Sequence, residues 1–216
     1  MSKEELYDRL AQAVIDGEPE DAEELARQAL GRGLDPLTCI NRGLTVGITR
    51  VGELFADGEY YLPDLIIGGE AMKAALAILE PALTGGQERE VLGRVVLGTV
   101  EGDLHEIGKT LVGTMLTANG FLVADIGIDK PASEFVAAVK ETDATLVGAS
   151  ALLTTTMPEQ QKLVEALAEA GLRERVKVMV GGAPVTKSWA DKIGADGYAE
   201  DAIAAVAVAK RLVGAA

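Results

Sequence analysis

Apolar residues recur at helical spacing through about the first 85 positions, then collect into short continuous runs separated by further helical stretches. Ser2 and Glu5 form a capping box for a helix predicted to run through Ile15, and Asp16-Gly17 ends it. A second helix opens at Pro19, turns Ala22, Leu25, Ala26, Ala29 and Leu30 to one side, and stops at Gly31-Arg32-Gly33. Asp35-Pro36 places an N-cap before a first-turn proline and starts a third helix, which reaches about Phe55 with Leu37, Ile40, Leu44, Ile48, Val51 and Leu54 inward. After the Ala56-Asp57-Gly58 turn, a fourth helix runs from Leu62-Pro63 to about Leu83. It is apolar on nearly all sides (Leu65, Ile66, Ile67, Met72, Ile78, Leu79), so more than its own bundle must cover it, and Gly68-Gly69 permits close approach.

The segment Thr84 to Glu90 is polar, contains two glycines and has no periodicity; it reads as a linker. Strands are predicted near 94–100, 121–126, 145–150, 176–180 and 197–199, alternating with helices near 107–119, 132–141, 158–170, 185–193 and 201–213. Strands this uniformly apolar belong to a parallel sheet covered on both faces. The expected class is therefore α/β: a four-helix bundle cap over residues 1–86, then a flavodoxin-like, doubly wound, five-stranded parallel sheet over residues 91–216.

Composition narrows the function. The chain is 48% hydrophobic but only 4% aromatic, so Ala, Gly and Val carry the packing. The one cysteine, Cys39, sits in an apolar helical pattern and reads as a buried thiol; it excludes an internal disulfide and a cysteine-rich metal site. A net charge of −14 argues against nucleic acid and anionic membrane as partners. The sequence has no apolar run of membrane-spanning length and no charged-then-apolar leader, so a soluble, cytoplasmic protein is expected.

The chemistry concentrates where the first strand turns into its helix. Asp103-Leu104-His105-Glu106-Ile107-Gly108 contains the only histidine of the chain. Gly98, Gly102 and Gly108 lack the spacing of a dinucleotide fingerprint, so the turn offers an imidazole and a carboxylate rather than a phosphate cradle. A lone loop histidine is by default a surface residue. Here, however, Ser150-Ala151-Leu152 follows the third strand and Gly181-Gly182 the fourth, with 41 residues between Gly108 and Ser150 and 28 between Leu152 and Gly181. In the strand order 2-1-3-4-5 these three segments line one slot at the carboxyl edge of the sheet, and the small residues let a bulky ligand approach the backbone.

This D-x-H-x-x-G, S-x-L, G-G pattern resembles the corrinoid-binding signature of cobalamin-dependent methyltransferases. The N-terminal half, with Tyr61-Leu62-Pro63, Met72 and Leu79-Glu80-Pro81, is similar to the helical cap of the methyl-carrier corrinoid proteins of methylamine, methanol, betaine and methoxyarene systems. The resemblance implies cobalamin bound base-off, its benzimidazole in a slot formed by Ser150, Leu152, Gly181 and Gly182, and His105 as the lower axial ligand of cobalt. It implies that Asp103 orients His105 and that Thr156 continues a hydrogen-bond relay; Thr156 reads equally as a helix cap before Pro158. It extends cofactor contacts to Gly102, Leu104, Glu106, Ile107, Gly108, Thr154, Tyr198 and Ala199, with Tyr61 shielding the methyl face beside Met72. The implied function is carriage of a methyl group from a substrate-specific methyltransferase to a second one acting on a pterin (tetrahydrofolate) or a thiol (coenzyme M). A reductive activator is the third implied partner, and the protein alone turns over no substrate. The alternatives are a cobalamin-binding subunit of a radical mutase, which would lack the helical cap, and a cobalamin-dependent transcriptional sensor, which would need a DNA-binding segment. A phosphoacceptor module would need a richer acidic cluster than Glu101 and Asp103.

Overall fold

Ser2 caps the first helix reciprocally with Glu5, as its sequence requires. The computed structural model describes residues 2–83 and 91–215, so the expected linker at Thr84 to Glu90 lies outside the described residues. The chain divides into two units, Met1–Glu90 and Val91–Ala216.

In the first unit, α1 (Lys3–Ile15) and α2 (Pro19–Gly31) have their predicted bounds. The third helix is not uniform. It begins as α3 (Pro36–Cys39) under an Asp35 cap, widens into a π turn (Ile40–Leu44) and resumes as α4 (Thr45–Ala56). The single-turn π segment shifts register by one residue, which a plain 3.6-residue periodicity does not foresee. Finally, α5 (Leu62–Leu79) ends earlier than expected, in a 3₁₀ turn (Glu80–Ala82), because Pro81 has no amide hydrogen to continue the ladder. Leu6, Leu10, Ile40, Leu44, Ile48, Leu65, Met72 and Leu79 are fully buried. Gly68 sits so close to α1 that an added Cβ would be 3.1 Å from the Val14 carbonyl oxygen, the close approach its sequence suggested. Ile66 and Ile67 remain 38% and 43% exposed, so α5 is not covered on every side.

The second unit is the expected parallel sheet: β1 (Arg94–Thr99), β2 (Leu122–Asp125), β3 (Leu146–Ser150), β4 (Lys177–Gly181) and β5 (Gly197–Ala199), in the order 2-1-3-4-5. Between them run α6 (Ile107–Ala118), α7 (Ala132–Thr142), α8 (Met157–Glu169), α9 (Lys187–Ile193) and α10 (Ala202–Leu212). Helices α6 and α10 pack together on one face. On the other face α7, α8 and α9 cover a core of Val96, Val147, Val178 and Val180 with Phe135 and Leu163. Register places Thr99 beside Ser150 and Ser150 beside Gly181, so the segments carrying the candidate chemistry emerge together at the carboxyl edge.

Candidate functional site

Asp103 is the anchor of the site. Its side chain is fully buried and lies in a shell of donors. Oδ1 accepts from the His105 backbone amide (3.1 Å) and Nδ1 (2.7 Å). Oδ2 accepts from the Leu152 amide (2.7 Å), the Leu153 amide (3.3 Å) and Thr156 Oγ1 (2.7 Å). Burial opposes the charge, but the bonds from Thr156, His105 and Leu152 outweigh it and hold the carboxyl down at about 2. The Thr156 hydroxyl accepts from no amide at the α8 N-terminus; it faces Asp103 and the Leu153 carbonyl (3.0 Å). Of its two sequence readings, this geometry matches the relay contact rather than the cap.

The turn that presents His105 is pinned on three sides. Thr99, fully buried at the end of β1, donates Oγ1 to the His105 carbonyl (2.9 Å). Asp129 accepts from the Gly102 amide (2.7 Å) while its own amide donates to the Asp103 carbonyl (3.1 Å). Neither residue belonged to the sequence reading; Asp129 stands in a left-handed turn (φ 53°) that only its Asp-Lys-Pro context hinted at. His105 itself is half exposed (51%), and among the described residues no group bonds its Nε2.

Below His105 opens a pocket of about 730 Å3, bounded by α6, α10 and the ends of β1, β3 and β4. Leu104, His105, Glu106, Ile107, Gly108, Ser150, Leu152, Gly181, Gly182 and Ala199, all candidate cofactor contacts, line it. Its interior wall adds Leu97, Gly148, Met179 and Ala205, which the sequence reading missed. Their common face becomes visible only once the register is known. Asp103 and Thr156 are buried and, like exposed Gly102, do not line the pocket, and Thr154 is exposed on the loop before α8. The Tyr198 ring is partly buried against the core on the α7–α9 face, away from the pocket wall. Tyr61 (70% exposed) and Met72 (1%) belong to the helical unit.

The glycines of the signature do different jobs. Gly182 has φ +126°, and an added Cβ would sit 1.9 Å from the Ala151 carbonyl oxygen, so the fold itself demands glycine. At Gly181 the Cβ would be 3.0 Å from the Ala199 carbonyl oxygen. Nothing lies within 4 Å of a Cβ at Gly108, whose missing side chain leaves room in the pocket.

These residues fit a corrinoid. Asp103 holds one nitrogen of His105 and leaves the other for a metal. Exposed Leu104 (67%), Ile107 (76%), Leu152 (38%) and Leu153 (42%) give a flat macrocycle an apolar seat around it. The mostly apolar pocket can admit a nucleotide base.

Comparison with known proteins agrees with this geometry. Residues 93–207 match the B12 binding domain model, and residues 6–80 match a second B12 binding domain model. A corrinoid protein of Desulfitobacterium hafniense is 49% identical over 211 residues, 97% of this chain and 98% of its own. Dimethylamine corrinoid protein 1 of Methanosarcina acetivorans is 49% identical over 213 residues, 99% of this chain and 100% of its own. Among solved structures, the methanol:cobalamin methyltransferase complex MtaBC of Methanosarcina barkeri superposes with a TM-score of 0.89 at 31% identity, covering 100% of this chain and 82% of that one. With both halves matched, and relatives almost half identical along nearly the whole chain, the protein belongs to the family of two-domain corrinoid proteins built from B12 binding domains.

Proposed function

We propose that this protein carries a methyl group on a corrinoid, taking it from a substrate-specific methyltransferase and passing it to a second enzyme that methylates a pterin or a thiol. A reductive activator is the third partner of this reading. When bound, the corrinoid supplies a cobalt that accepts and releases the methyl group. The observation that carries the reading is the buried Asp103 carboxylate with His105 Nδ1 at 2.7 Å.

An ionised carboxylate only accepts, so Nδ1 must carry its proton and the lone pair of neutral His105 is left on Nε2. His105, in this fixed tautomer, would hold the cobalt of a bound corrinoid through Nε2, and the pocket lined by Ser150 and Gly181 would receive the cofactor's nucleotide base. Asp103 also holds the imidazole in that orientation. With its carboxyl held at about 2, Asp103 stays ionised and accepting at neutral pH. Thr156 and the Leu152 and Leu153 amides keep the carboxylate ionised. A single nitrogen presented in a fixed tautomer suits a carrier that must hold and then yield its cargo.

The test is electron paramagnetic resonance of the reduced, cobalamin-loaded protein with 15N-labelled histidine. Wild type should show splitting from one axial nitrogen that responds to the label. His105→Ala should lose that splitting yet retain cobalamin, because the pocket is intact. Unchanged axial nitrogen coordination in the variant would refute the assignment.

A further inference from the structure

Gln160, on α8, is fully buried although polar, and it stands on the opposite face of the sheet from the pocket. Its Nε2 donates to two carbonyls on neighbouring strands, Ala149 of β3 (2.9 Å) and Gly181 of β4 (3.1 Å). Its Oε1 accepts from Trp189 Nε1 at 3.0 Å. The amide cannot be turned over without loss. A flip would set Oε1 against two carbonyl oxygens and Nε2 against an indole N–H, so Trp189 fixes which end faces the strands.

The place of this staple matters. The Gly181 carbonyl also accepts the Ala151 amide (3.1 Å), and just beyond that bond Gly182 crosses directly over the Ala151 peptide. Ser150, Gly181 and Gly182 then line the pocket from the α6–α10 side. Gln160 therefore adds, from the far face of the sheet, a second tie to the Ala151–Gly181 backbone bond where β3 and β4 turn into the pocket wall.

We infer that Gln160 is a positioning residue for the nucleotide end of the corrinoid: through the Trp189-oriented amide it sets the width of the opening between Ser150 and Gly181–Gly182. The inference rests on the reading that the displaced base enters this pocket. Without the staple the Ala151–Gly181 bond alone holds the two strand ends there, so the opening widens and fits a flat base less well. The macrocycle, seated around His105, does not feel the change.

The experiment compares cobalamin with cobinamide, which has the same macrocycle but no nucleotide, by spectral titration of the apoprotein. Gln160→Met, of similar length but with no donor or acceptor amide, should weaken cobalamin by about tenfold, the scale of one or two lost hydrogen bonds. Cobinamide should change by less than about twofold, since it makes no use of the opening. Trp189→Phe, which frees the amide while keeping Gln160, should weaken cobalamin about two- to threefold and spare cobinamide; it carries the test if Gln160→Met does not fold. Equal weakening of both ligands would make Gln160 a general structural residue and overturn the inference, as would unchanged cobalamin binding. If wild type itself binds cobinamide as tightly as cobalamin, the base-in-pocket reading falls and the inference falls with it. If wild type prefers cobalamin and the variants keep that full preference, only the role of Gln160 is refuted.

Discussion

Asp103→Asn removes one charge and changes almost no volume, so it isolates what the buried carboxylate contributes. All five groups around Asp103 are donors or can donate: two amides and a hydroxyl at Oδ2, an amide and an imidazole N–H at Oδ1. Asparagine keeps one acceptor, and its NH2 must face donors whichever way it turns. The pKa gives a second measure. The carboxyl is held down at about 2 in the folded protein against an ordinary value of 3.8. That difference of nearly two units, at about 1.4 kcal/mol per unit, is worth about 2 kcal/mol of stability at neutral pH. Because the folded pKa is depressed, this stability is fully present above about pH 4 and is lost as pH falls toward about 2. Unfreed donors in the variant add a further cost, so Asp103→Asn should destabilise the sheet unit by about 2–4 kcal/mol at pH 7. Trp189, the only tryptophan, lies in that unit and reports its unfolding by fluorescence in urea. The gap between wild type and variant should narrow from pH 4 downward, while the titration of every other carboxylate cancels in the comparison. A gap smaller than about 0.5 kcal/mol at pH 7, or one that does not narrow in acid, would refute the argument.

Other perturbations separate the demands of folding from those of the ligand. Gly108→Leu puts a side chain into open pocket space at the start of α6, so urea unfolding of the apoprotein should show equal or slightly greater stability while cobalamin titration shows weaker binding. Gly182→Ala should do the reverse, costing about 2 kcal/mol or more without any ligand, because its Cβ collides with the Ala151 backbone. The Lys109 ammonium is buried on α6 against Asp125 of β2, with Glu106 at 4.0 Å. Asp125→Ala should therefore destabilise the sheet unit by about 3 kcal/mol in urea unfolding, because it leaves a buried cation without its main counter-charge; a loss below about 1 kcal/mol would show that Glu106 or water replaces it.

Much of this protein is settled locally, and local matters can be read from sequence. Continuous apolar runs bounded by turn residues mark β1 to β5 to within a residue or two, because a strand covered on both faces has no polar positions to confuse the pattern. Capping at Ser2, Asp35 and Asp201 marks helix starts, since the cap bonds span only three residues. The spacing of Asp103, His105, Ser150 and Gly181 was legible as a slot, because parallel crossover rules leave few strand orders. What the tertiary structure alone decided is long-range. Asp103 draws its Oδ2 donors from residues 49, 50 and 53 positions away, and no periodicity reports a bond of that separation. The π turn at Ile40–Leu44, the pocket wall at Gly148 and Met179, and the staple from Gln160 to two strands likewise depend on register and packing. So does the difference between Gly182 and Gly108, identical letters in one signature. One is excluded from bearing a side chain by the backbone it crosses, the other by nothing in the folded chain, and only contacts between distant segments distinguish them.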